Sequence, residues 1–338
     1  MSLLNHSTLT KYDPSGMHKI YDMWPEIASN SYESHKDKID FTNIDHIIFA
    51  GMGGSGAIGD IFSSILSKTG IHVCVVKGYL LPKTVDSDTL IVTTSISGNT
   101  TETMTVLDSA TKLDAKIIAF TSGGKMLKYC TKNNIKHTKI EMMHSPRASF
   151  VSFFYSMLGV LASTIPVKKQ DISESLKQLE ELQKTISSSN LTKTNPSLDL
   201  ARWITAIPLI YYPWGLQSAA IRFKNSLQEN SKIHAMTEDV IEACHNGIVA
   251  WEKKENVKPI FLEGNDDYVK TKQRWKILKE YFEKNGIEYK EVFSTKGSIL
   301  TKLINLIYLL DYASIYLAVM AKIDPTPIKS IDFIKSRL

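Results

Sequence analysis

The run HIIFAGMGGSGAIGD, residues 46–60, decides the fold: His46 to Ala50 feed directly into a glycine-rich turn and then a helix-forming stretch. A short apolar run ending in such a turn is the pattern of a strand buried on both faces of a parallel sheet. Glycines without Cβ let the backbone approach a ligand closely, and the N–H groups of the following helix favour an anion, above all a phosphate. The plain alternative is a tight strand-to-helix turn that holds nothing. A dinucleotide site would need an acidic residue about 20 positions on, and Ile71 to Lys77 offers none, which disfavours NAD.

Working outward, TSISGNTTE, residues 94–102, repeats the logic after a second apolar run, Thr89 to Thr94. Ser95, Ser97 and Thr100 present hydroxyls that can donate to phosphate oxygens, although one of them is expected to serve as a helix N-cap. Further strands are predicted over Val73–Val76 and Lys116–Thr121, with helices over Ala57–Ser67 and Thr101–Leu113. The order is that of a doubly wound α/β domain. A helix over Ser149–Thr164 closes it, and a polar helix over Lys168–Ser189 follows.

A second α/β unit is predicted from strands at Ile207–Tyr212, Pro259–Glu263 and Glu288–Phe293, with helices at Gly215–Glu229, Tyr268–Asn285, Ser298–Ala321 and Ile328–Arg337. Before the first strand lies one helix, Met17–Ser29, interrupted by Pro25, and a charged connector, Glu33–Asp40. The expected organisation is an N-terminal helical arm (1–40), a first domain (41–165), an interdomain helical linker (166–197) and a second domain with C-terminal helices (198–338). Each domain is read as a mainly parallel central sheet flanked by helices.

A chain of 338 residues suits two such domains. Its net charge of +5 is carried by scattered lysines and not by a basic stripe, so it implies mild attraction for anions and no nucleic-acid footprint. Neither a signal-peptide core over Met1–Lys11 nor 18 or so uninterrupted apolar residues is found, so no membrane association and a cytoplasmic location are expected. Cys74, Cys130 and Cys244 are odd in number and lack CxxC spacing, which argues for reduced thiols and against a zinc site. The Asn-x-Ser/Thr triplets at Asn5, Asn99 and Asn190 are read as chance.

GMGGSGAIGD followed by SISGNTTET resembles the two phosphate-binding signatures of the sugar isomerase (SIS) domain, in which Gly54, Ser55, Ser95, Ser97 and Thr100 would hold the phosphate. SPRAS (145–149), LQENSK (227–232), EACHNGI (242–248) and DPTPIKSIDFIKSRL (324–338) extend the likeness to both domains. Together they resemble archaeal-type bifunctional phosphoglucose/phosphomannose isomerases. Ile96 departs from the Tyr that relatives often carry before Ser-Gly-Asn-Thr.

The resemblance implies an aldose-ketose isomerase of carbohydrate metabolism, placed in glycolysis or gluconeogenesis, that interconverts glucose 6-phosphate, and mannose 6-phosphate, with fructose 6-phosphate through a cis-enediolate. No cofactor or metal is implied. Glu229 would shuttle the proton between C2 and C1, Arg147 would stabilise the enediolate, and His245 and Lys335 would open the ring. Thr326 is the candidate hydroxyl beside the C2–C3 bond. A homodimer with shared active sites, the histidine coming from the neighbouring subunit, is implied as well. From the residues alone, Glu229 reads equally as a solvated helix-end residue, His245 as structural, and Arg147 and Lys335 as surface cations. The alternatives are a phosphosugar-binding regulator without chemistry, or an isomerase for another phosphosugar.

Overall fold

The structure, a computed structural model, describes residues 4–35, 39–253 and 255–337; part of the charged connector therefore lies outside the described residues. Short helices α1 (His6–Tyr12) and α2 (Met17–Asp22) precede α3 (Trp24–Glu33). The first sheet follows as β1 (His46–Ala50), α4 (Gly53–Leu66), β2 (His72–Val76), β3 (Thr89–Ser95), α5 (Thr101–Ala110), β4 (Lys116–Thr121), α6 (Gly124–Lys132) and β5 (Lys136–Lys139), with α7 (Phe150–Val160) after it. Helices α8 (Lys169–Ile186) and α9 (Pro196–Trp203) lead to the second: β6 (Ile207–Tyr212), α10 (Gln217–Ser226), β7 (Met236–Asp239), α11 (Val240–Ala243), β8 (Val257–Gly264), α12 (Val269–Lys284) and β9 (Lys290–Ser294). The chain ends in α13 (Ile299–Met320) and α14 (Lys329–Lys335).

Both sheets are parallel, in the orders β2-β1-β3-β4-β5 and β7-β6-β8-β9. Strands β1 and β3 are buried along their whole lengths, which is why their sequences read as continuous rather than alternating apolar runs. Phe49 of β1 stacks on Phe62 of α4 at 4.9 Å, and Phe62 packs against Phe154 of α7 at 5.2 Å, fixing the helix that starts at the glycine loop. Strands β5 (KHTK) and β7 (MTED) escape sequence reading because short polar edge strands carry no apolar run.

The chain divides into two compact units, Met1–Asp22 with Ser173–Ile328, and Met23–Ile172 with Lys329–Leu338. The expected arm 1–40 is therefore not one element. The chain breaks at Met23, two residues before Pro25, because proline is accommodated in the first turn of α3 and not in the interior of a continuous helix. The segment before that break packs on α13: Tyr21 Oη donates to Asp311 (3.0 Å), and Tyr308 Oη donates to the Tyr21 carbonyl (2.6 Å). The expected linker helix, α8, is likewise tied to the second sheet's unit, since Glu174 accepts from Ser298 N–H (3.1 Å) and Thr301 Oγ1 (3.0 Å). Helix α14 groups with the first sheet instead of the second.

By length and composition α13 could cross a membrane, contrary to the expectation that no segment approaches a span, but 94% of that stretch is buried. It is the core helix of its unit.

Glu263, at the end of β8, is buried and pairs with Lys279 of α12 (2.7 Å), which also meets Glu291 of β9. Burial pushes the Glu263 carboxyl up to about 7, with Lys279 pulling the other way. The folded protein therefore holds a proton that the unfolded chain, with a carboxyl near 4.3, has lost, and this contribution to stability falls as pH rises through that window. Glu263→Gln is expected to gain on the wild type in urea unfolding from about pH 4.5 to 7 and to run level above. Parallel curves over that range would refute the assignment.

Candidate active site

The first sheet reverses its winding between β1 and β3, and both glycine-serine loops leave the carboxyl ends of those two strands. This is the crevice where open α/β sheets bind ligands. The loops are bonded to each other through Ser55 Oγ, which accepts from Ile96 N–H (3.3 Å); within the second loop, Ser95 Oγ and Thr100 Oγ1 lie 2.9 Å apart. Gly51 has to be glycine, because a Cβ there would sit 2.9 Å from the Thr94 carbonyl. Neither α4 nor α5 begins with a side-chain cap. Thr100 occupies the N-cap position of α5, yet its hydroxyl meets Ser95 instead, so the expected capping role is not filled. Uncapped first-turn N–H groups are the donors a phosphate takes.

Of the remaining candidates, Gly54 lies in the first turn of α4, and Ser97 Oγ accepts from Asn99 N–H (3.4 Å). A third loop, after β4, buttresses the second: Ser122 Oγ donates to the Ile96 carbonyl (2.6 Å), Met126 N–H to Gly98 O (2.9 Å) and Lys125 N–H to Asn99 Oδ1 (3.0 Å). Sequence reading also passed over Lys77. Its ammonium is 2.5 Å from Asp60, and its side chain runs past Gly56, placing a cation beside the first loop. Its position just beyond β2, next to β1 in the sheet, is the signal that could have found it.

Arg147 is buried and only 5% exposed, which overturns its reading as a surface cation. Its loop is closed by Ser149, whose Oγ accepts from Met143 N–H (2.9 Å) and lies 2.8 Å from the carbonyls of Met143 and Ser145. Lys335 is exposed near the end of α14 and belongs to the same unit as Arg147 and the phosphate loops.

Glu229, His245 and Thr326 belong to the other unit. Glu229 lies at the end of the expected helix, but not in α-helical geometry. Helix α10 stops at Ser226 and the chain continues as a π turn, Leu227–Ser231, a geometry that recurs at functional sites. The turn ends at Lys232 in the left-handed conformation (φ 58°). Lys232 Nζ donates to the Glu229 carbonyl and to Pro325 O (3.3 Å), so the Glu229 turn is tied to the turn that carries Thr326. Thr326 N–H donates to Asp324 Oδ1 (2.9 Å). The candidate base and the candidate C2–C3 hydroxyl are thereby brought into one neighbourhood.

His245 is exposed and follows α11, its N–H donating to the Glu242 carbonyl (2.8 Å). The next turn lies against the Glu238 carboxylate, which a Cβ on Gly247 would meet at 2.3 Å.

Residues 40–164 match the SIS domain, and residues 193–338 match the bacterial phospho-glucose isomerase C-terminal SIS domain. A bifunctional phosphoglucose/phosphomannose isomerase of Caldicellulosiruptor bescii is 33% identical over 335 residues, covering 94% of this chain and 97% of the relative. One of Aquifex aeolicus is 30% identical, covering 91% and 95%. Among solved structures, a hypothetical protein from Thermus thermophilus superposes with a TM-score of 0.75 at 13% identity, covering 98% of this chain and 92% of that one, which speaks to the fold. With two SIS domains and a full-length match at this identity, the chain belongs to the bifunctional phosphoglucose/phosphomannose isomerase family.

Proposed function

We propose that this protein interconverts glucose 6-phosphate and mannose 6-phosphate with fructose 6-phosphate, with Glu229 as the proton-transferring base. At the coarser level it is an aldose-ketose isomerase acting on hexose phosphates. The observation that carries the finer reading is the meeting of two glycine- and hydroxyl-bearing loops, joined by Ile96 N–H and Ser55 Oγ, at the winding reversal of the first sheet.

In this reading Ser55, Ser95, Ser97, Thr100 and the backbone at Gly54 hold the phosphate, which leaves the far end of the sugar to the chemistry. His245, contributed by the neighbouring subunit of a homodimer, and Lys335 exchange protons at the ring oxygen and the anomeric hydroxyl to open the ring. The Glu229 carboxylate then takes the C2 proton and returns it to C1, while the buried Arg147 guanidinium stands against the negative charge that develops on the enediolate oxygens. Thr326 serves the C2–C3 bond, about which the enediolate must turn to be protonated on its other face, the step that joins the mannose and glucose series. The burial of Arg147 supports it in this role, because a desolvated cation stabilises a nearby anion far more than a hydrated one does. In this reading the protein works in the cytoplasm, without nucleic-acid or membrane partners.

Purified protein assayed for fructose 6-phosphate formation from each sugar, with and without EDTA, tests the reading. Activity on both sugars, unchanged by EDTA, is the expected result. Activity on glucose 6-phosphate alone would remove the mannose half, and inactivity on both with retained phosphosugar binding would favour a regulator.

A further inference from the structure

Beneath the π turn that carries Glu229 lies a polar cluster to which neither the family likeness nor the chemistry above assigns a role. The Asp311 carboxylate, fully buried in the middle of α13, accepts from Arg222 Nε (3.1 Å) and Nη2 (2.7 Å), Ser226 Oγ (2.6 Å) and Tyr21 Oη (3.0 Å). One turn further along α13, Ser314 takes the other end of the π turn: Asn230 Nδ2 donates to its Oγ (2.8 Å), and Ser231 Oγ donates to its carbonyl (2.6 Å). Ser314 Oγ in turn donates to the Asp311 carbonyl (2.6 Å), joining the two anchor points. Ser226, Asn230 and Ser231, which flank Glu229 in sequence, are all buried, while Glu229 itself is partly open to solvent.

A buried ion pair is a poor source of net stability, because desolvating both charges offsets most of their attraction, and apolar replacements are often as stable. A cluster of this kind serves geometry better than it serves stability. Burial works against the Arg222 charge, but Asp311 holds the guanidinium above its ordinary value, and Glu229 lies close enough to add in the same direction. The cluster therefore reaches the turn that carries the candidate base through the side chains of Ser226, Asn230 and Ser231.

We infer that Asp311 is a positioning residue for Glu229, and that the N-terminal segment, through Tyr21, completes the carboxylate's set of donors. Asp311 reaches no substrate; it fixes Ser226 and Arg222, and with Ser314 it clamps both ends of the π turn. A base displaced by about 1 Å from the reacting carbon loses on the order of 10²-fold in rate without any loss of substrate affinity. The inference rests on Glu229 being the base proposed above.

The test uses the full chain and compares Tyr21→Phe, Ser226→Ala and Asp311→Asn in the wild type and in Glu229→Gln. In the wild type, Tyr21→Phe and Ser226→Ala are expected to lower kcat about tenfold each, and Asp311→Asn about 10²-fold, with KM held within about threefold. In Glu229→Gln the same changes are expected to leave the residual rate unaltered, because no carboxylate is left to misplace. Tyr21→Phe and Ser226→Ala carry the test if Asp311→Asn does not fold. Folded Tyr21→Phe and Ser226→Ala proteins with kcat within twofold of wild type would overturn the inference and leave the base standing. Equal losses in both backgrounds would reduce the cluster to a structural role and overturn it too. Substantial activity in Glu229→Gln itself would instead remove the base, and the inference with it.

Discussion

Glu229→Gln is expected to lower kcat for glucose 6-phosphate by on the order of 10³-fold, within the range that general base catalysis supplies. The glutamine keeps the length and planarity of the side chain, and the π turn is held by Ser226, Asn230 and Ser231. The fold should therefore survive the change. Binding of fructose 6-phosphate, measured by calorimetry, should stay within about threefold, because the phosphate loops belong to a different part of the chain. A variant that loses binding and rate together would mark Glu229 as a binding group.

The largest expected loss of stability from a single methyl group comes from Gly98→Ala. Gly98 has φ +70°, and a Cβ there would lie 1.9 Å from the Gly123 carbonyl oxygen and 2.6 Å from its carbon. Both obstacles are backbone atoms that cannot rotate away. The left-handed conformation and the overlap together are expected to cost about 3 to 4 kcal/mol, read as a lower urea midpoint with an unchanged slope. The second phosphate loop should shift as well, since Gly98 O receives Met126 N–H, so phosphosugar affinity is expected to fall. A change below about 1 kcal/mol would mean that the loops after β3 and β4 part easily.

Much of this was legible in the sequence. Strands β1, β4 and β6 cover the residues expected for them, because each is a short continuous β-rich run bounded by turn residues. The phosphate crevice was legible too, through two glycine-serine loops placed directly after strands. What stayed hidden was long-range. Nothing near Tyr21 announces Asp311, 290 residues away, and a buried Asp inside an apolar helix looks in sequence like an interruption and not an anchor. The π turn was hidden because LQENS has the composition of an ordinary helix end, and only its fastening to α13 gives it a different path. Arg147 read as a surface cation because loop burial depends on the fold around it.

The docking of the N-terminal helices on α13 has a consequence in time. On a ribosome adding about 5 to 20 residues per second, Tyr21 emerges some 290 residues ahead of the aspartate it must reach, a wait of roughly 15 to 60 s. Throughout it Leu9, Met17 and Tyr21, all buried in the finished protein, lack the α13 surface on which their helices pack. The first sheet can close in the meantime, whereas the second sheet's unit needs the N-terminal segment and the far later stretch 173–328 together. A nascent chain stalled short of residue 311 should leave this segment open to proteases, and released full-length protein should not.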